Sequence, residues 1–112
     1  MREVEPTWSG AVLVCTHERD PTKGKAWCGK ERGTELRDWL KRRMKAAGLK
    51  GVVLTAKSGC LGVCSPLGVT VSVLPAGESG LPRRMWVFEN GDDREMLLKA
   101  VHLAVMGAPL TD

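Results

Sequence analysis

Two cysteines in one glycine-rich loop constrain this chain more than any other feature. The stretch Ser58-Gly59-Cys60-Leu61-Gly62-Val63-Cys64-Ser65-Pro66 holds half of the four cysteines. Its glycines and its closing proline predict a loop, not a helix or a strand. Two soft ligands on a backbone that bends freely suit the wrapping of a bound centre. The remaining pair, Cys15 and Cys28, lies well upstream, so the fold must carry them to this loop.

The 112 residues fit one small domain spanning 1–112, with residues 1–10 expected as a flexible arm around Trp8. A hydrophobic fraction of 43% and a charged fraction of 27% are those of an ordinary globular chain. No apolar run reaches the length of a membrane span. The start, Met1-Arg2-Glu3-Val4-Glu5-Pro6, lacks the apolar core of a secretory signal, so the expected compartment is the cytoplasm. Thiols stay reduced there, which favours metal or redox chemistry over a disulfide frame. The net charge of +4 suits an acidic protein partner and falls short of a nucleic-acid signature.

Ala11-Val12-Leu13-Val14 reads as a buried strand that delivers Cys15 at its carboxyl end, where ligands of open α/β sheets sit. Residues 16–33, with Asp20-Pro21, Gly24, Gly29 and Gly33, read as a long loop carrying Cys28. Thr34 then serves as the expected N-cap of a helix with Glu35 at its positive end. Leu36, Trp39, Leu40, Met44 and Ala47 follow the helical period, and Gly48 is the expected stop. Val52-Val53-Leu54-Thr55 is a second buried strand leading into the Cys60 loop. The strand–helix–strand order predicts two parallel strands, with Cys15 and the Cys60 loop at one end of the sheet.

Val69-Thr70-Val71-Ser72-Val73-Leu74 and Met85-Trp86-Val87-Phe88 read as an antiparallel hairpin joined by the turn-rich Pro75–Gly80. Glu89-Asn90-Gly91-Asp92-Asp93 turns into a last helix whose expected buried stripe is Met96, Leu97, Ala100, Val101, Ala104 and Val105, ended by Gly107 and Pro109. The fold class is therefore α/β. The order β-α-β-β-β-α, as a four-stranded mixed sheet with helices packed on it, is that of a thioredoxin-like core.

The cysteine spacing is Cys-x12-Cys, then 31 residues, then Cys-x3-Cys. Structural zinc sites usually have a close cysteine pair in each half, and only the second half here qualifies. A thioredoxin-type redox pair needs Cys-x-x-Cys after the first strand, but Cys15-Thr16-His17-Glu18 lacks the second cysteine. Iron–sulfur clusters tolerate wider spacing, and a 2Fe–2S cluster takes four thiolates.

On Val14-Cys15, on Cys28 after twelve residues, and on Gly59-Cys60-Leu61-Gly62-Val63-Cys64 with Pro66 and a valine-rich strand, the chain closely resembles the thioredoxin-like 2Fe–2S ferredoxins. This group includes the Shethna-type ferredoxin I of nitrogen-fixing bacteria. The resemblance runs from about Val12 to Val105. The cluster-binding subunit of respiratory complex I shares the fold and the Cys-x3-Cys half, with a closer first pair. The resemblance implies that Cys15 and Cys28 bind one iron and Cys60 and Cys64 the other. It also implies one 2Fe–2S cluster per chain, one-electron transport between redox partner proteins (a reductase or an oxidase), and a homodimer. Such a carrier is expected to have no enzymatic turnover and no catalytic residues, while the mild charge and the lack of a long apolar run speak against nucleic acid and membrane as partners. Two features depart from the family. Members are often acidic, whereas this chain is at +4, which points to a different and acidic partner. Ser65-Pro66-Leu67-Gly68 also places its glycine after the proline rather than before it.

Two other functions fit the same four cysteines, namely a zinc-stabilised binding module of the same fold and a thiol oxidoreductase. His17, close to Cys15, would as a ligand suggest a Rieske-like centre; with four cysteines present it reads as a solvated loop histidine. His102 reads as a partly exposed surface residue, and Trp39 and Trp86 as core. Trp27 reads as a loop anchor or a shield for the centre. The run Lys41, Arg42, Arg43, Lys45 reads as a solvated helix face, or alternatively as a steering surface for an acidic partner.

Overall fold

Alternating valines set the sheet. A computed structural model describes residues 1–16, 30–59, 61, 68–89 and 91–110. The elements are β1 (Gly10–Cys15), α1 (Lys30–Ala46), β2 (Val53–Ser58), β3 (Gly68–Leu74), β4 (Arg84–Glu89) and α2 (Arg94–Met106). The strands form one mixed sheet in the order β2-β1-β3-β4. β1 and β2 are parallel, β1 and β3 antiparallel, and β3 and β4 an antiparallel hairpin. The expected βαβ pairing and the hairpin are both present, in an α/β fold with two helices.

Register decides which side chains share a face. Val12 pairs with Thr55 and Val73, and Val14 with Lys57 and Val71. Because side chains alternate along a strand, Val12, Val14, Val53, Val69, Val71 and Val73 line one face. Both helices supply that face with its partners, through Leu36, Leu40 and Met44 of α1 and Leu97, Leu98, Val101, Ala104 and Val105 of α2, in a single buried cluster. Burial of each such side chain is worth about 1.5–3 kcal/mol relative to exposure. The other face carries Leu54 and Met85, 38% and 44% exposed.

α1 begins at Lys30, one turn before the expected Thr34 cap, so Thr34 lies inside the helix and residues 30–33 are not loop. The reason is Gly33. A Cβ at that position would lie 2.1 Å from the carbonyl oxygen of Cys15, so the missing side chain lets the first turn of α1 rest against the end of β1. Sequence reading takes a glycine as punctuation, and here it is a contact surface. At the other end Ala47 lies past the helix and is exposed, outside the stripe expected for it. Gly48 ends α1 as expected, in the left-handed region at φ 83.

α2 is capped by Asp93, whose carboxylate accepts from the Glu95 amide at 2.9 Å. Gly107 closes it at φ 72, its amide donating to the Leu103 carbonyl. Three expectations for α2 fail, the first at Ala100, which is half-buried rather than buried. Met96 is 70% exposed, because the sheet covers a narrower stripe than the apolar residues of the helix span. His102 is buried, not at the surface, with Nδ1 2.9 Å from the Ala108 carbonyl oxygen that follows the helix.

The first turn of α2 is tied to α1 at two points. Arg43 of α1 pairs with Glu95 of α2, with Nη2 donating to Oε2 at 3.0 Å, and Arg94 of α2 donates to Glu35 of α1 at 2.6 Å. The Trp39 ring lies between Arg43 and Arg94, whose Cζ atoms are 5.3 and 5.8 Å from its centroid. Trp39 and Trp86 are therefore half-buried at the margin of the core rather than inside it, and Arg84 sits 5.2 Å from the Trp86 ring. The expected arm is shorter than residues 1–10, since Gly10 opens β1 and the Ser9 amide donates to the Val52 carbonyl at 2.7 Å. Among the described residues no helix is long and apolar enough to cross a membrane.

Candidate metal centre

Cys15 is the last residue of β1 and is 1% exposed. The parallel register pairs it with Ser58, the last residue of β2. Past that pair the two strands remain tied. The Thr16 amide and hydroxyl both donate to the Ser58 carbonyl, at 3.0 and 3.2 Å. The Ser58 hydroxyl donates onward to the Gly59 carbonyl at 2.9 Å. β2 thus ends beside Cys15, two residues before Cys60 in the chain.

Two further segments reach the same end of the sheet. The first turn of α1, which begins two residues after Cys28, packs on the Cys15 carbonyl through Gly33. β3 runs antiparallel to β1 with Val14 opposite Val71, so its first residue, Gly68, lies toward the end of β1 that carries Cys15. Gly68 follows Cys64 by four residues. Leu61, between Cys60 and Cys64 in the chain, is half-buried against the core cluster.

Of the expected ligands, Cys15 stands where the sequence places it. Cys28, Cys60 and Cys64 lie outside the described residues, as do His17 and Trp27. Among the described residues there is no cluster of three or more His, Cys, Asp or Glu side chains able to hold a metal. One buried thiol, Cys15, sits at a strand end. Cys28, Cys60 and Cys64 are joined in the chain to elements that meet at that end. Thiolate donors suit a soft metal or an iron–sulfur cluster.

Two residues with a part in shaping this end are absent from the expected set. Gly33 could have been found as a glycine inside an otherwise helical run, Glu31-Arg32-Gly33-Thr34-Glu35-Leu36. Thr16 carries no such signal, since its role depends on the β1–β2 register. No protein-family model, no curated protein and no solved structure matches the chain.

Proposed function

We propose that this chain is a one-electron carrier on a thioredoxin-like domain, holding one 2Fe–2S cluster through Cys15, Cys28, Cys60 and Cys64. The observation that carries the reading is the pairing of Cys15 with Ser58. It brings the strand that bears the first thiol alongside the strand that leads into the Cys-x3-Cys loop. The spacing of the four cysteines supports a cluster over a zinc knuckle, and the lack of Cys-x-x-Cys after β1 speaks against a thiol oxidoreductase.

When bound, such a cluster gains and loses a single electron, at a potential set by burial and by hydrogen bonds to sulfur. The chain's own residues do the rest. Cys15 supplies a thiol shielded from solvent, and Gly33 lets α1 close on the strand that carries it. Thr16 fixes the separation of the two strand ends. The protein turns over no substrate of its own. Its partners are redox proteins that dock near the Cys60 loop, with acidic ones favoured by the charge of +4. A homodimer and a cytoplasmic setting complete the proposal.

Iron and acid-labile sulfide analysis tests it, on the anaerobically purified chain and on Cys60→Ser. The expected result is two irons and two sulfides per chain, lost or strongly reduced in the variant. One zinc per chain without sulfide, after reconstitution with iron and sulfide, would make it a zinc-stabilised module. Turnover of a disulfide substrate that Cys60→Ser abolishes, with no metal in either protein, would make it a thiol oxidoreductase.

A further inference from the structure

A groove of about 480 Å³ runs between α1 and β2, and Cys15 is not among the residues that line it. Among the described residues its charged lining is one-signed, with Arg37, Lys41, Lys45 and Lys50 and no acidic side chain. Asp38 contacts Arg37 from outside at 3.0 Å, which leaves three lysines with no acidic neighbour among the described residues of the groove. Trp8 and Lys50 both line the groove, and Trp8 is 42% exposed.

Two repeats run along this groove with nearly the same pitch. Arg37, Lys41 and Lys45 are four residues apart on α1, so they form a stripe with a rise of about 6 Å per cation. β2 is an edge strand that pairs with β1 alone among the described residues. The Val52 and Ser58 carbonyls accept from β1 and its flanks, whereas the Thr55 carbonyl accepts from Arg37 Nε at 3.1 Å. Peptide groups alternate in direction along a strand, so those of Val53, Thr55 and Lys57 face away from β1. A strand added there repeats its side chains on one face every two residues, about 6.6–6.8 Å. That pitch matches the cation stripe.

We propose that this groove binds an extended, acidic segment of a partner polypeptide, which adds to the outer edge of β2. Carboxylates at alternate positions face Arg37, Lys41 and Lys45, drawing the Arg37 guanidinium off the Thr55 carbonyl and freeing it for the incoming backbone, and an apolar residue at one end meets Trp8. The strand edge gives the backbone contacts and the stripe gives the choice of sequence. A nucleic-acid strand fits less well, because among the described residues the groove has one aromatic ring, where single-strand binding uses several as stacking platforms. The site uses no cysteine and stands independently of the metal centre.

The test is fluorescence anisotropy at low salt with a short fluorescein-labelled peptide of alternating Glu and Val ending in Leu, added to the full chain. Saturable binding is expected, weakened about tenfold or more by Lys41→Glu/Lys45→Glu and lost as salt rises. Both lysines are exposed, so the variant should keep the far-ultraviolet circular dichroism of the parent. In the 15N-labelled chain, the Thr55 and Lys57 amides should shift on titration. Trp8→Ala should weaken binding of the peptide that ends in Leu. The proposal is overturned if the peptide does not bind saturably or if the charge-reversed variant binds equally well. It is also overturned if a peptide of the same composition with all its Glu at one end, or a single-stranded oligonucleotide, binds as tightly.

Discussion

Gly33 rests on the carbonyl of Cys15, at a distance that leaves no room for a side chain. A Cβ there would come within 2.1 Å of the Cys15 oxygen and 3.1 Å of Thr16 Cα, and both are backbone atoms that cannot swing aside. The first turn of α1 is therefore fitted to the end of the strand that carries the buried thiol.

Gly33→Ala should for this reason destabilise the fold by about 1–3 kcal/mol, the usual cost of overpacking. In an exposed helix the same change would stabilise, by roughly 0.5–1 kcal/mol. Urea denaturation decides the sign. A variant as stable as the parent would mean that α1 does not close on β1 in this way.

The two faces of α2 should respond differently to substitution. Leu98 is 1% exposed, so Leu98→Ala should cost about 2–5 kcal/mol. Met96 is 70% exposed, so Met96→Lys should fall within about 0.5 kcal/mol of the parent. Thermal melts of the two variants check the assignment, and a large loss in Met96→Lys would contradict it.

Asp93 caps α2 through a 2.9 Å bond from the Glu95 amide. Asp93→Ala removes that acceptor, with an expected loss of about 0.5–2 kcal/mol. Asp93→Asn keeps the geometry and should recover most of the loss. Chemical denaturation of the pair separates the cap from a general effect of charge.

Arg43 and Glu95 join the two helices at the surface, with side chains 36% and 50% exposed. Solvent screens a pair of this kind, so a double-mutant cycle with Arg43→Ala and Glu95→Ala should give a coupling of about 1 kcal/mol or less, shrinking as salt is added. A coupling of several kcal/mol would mean that the pair is far less hydrated than its exposure indicates.

The strands were readable because their pattern is local. Val69, Val71 and Val73 alternate with Thr70 and Ser72, and two short apolar runs flank a helical period, from which the parallel β1–β2 pair follows. Features that depend on a neighbour were not readable. Gly33 looks like a helix breaker until β1 is placed against it. Met96 belongs to the apolar period of α2, but the width of the sheet, not the period, decides whether it is covered. His102 is polar, yet the carbonyl of Ala108 gives its ring a partner inside the fold. At the candidate site, the strand-end position of Cys15 was legible from Val12 and Val14, whereas the tie from Thr16 to Ser58 follows only from register.

Whether the four cysteines hold a 2Fe–2S cluster is decided by the visible absorption spectrum of anaerobically purified protein, before and after dithionite. The expected result is a red-brown protein whose cysteinyl-cluster bands bleach in part on one-electron reduction. A colourless protein that stays colourless after reconstitution with iron and sulfide would contradict it.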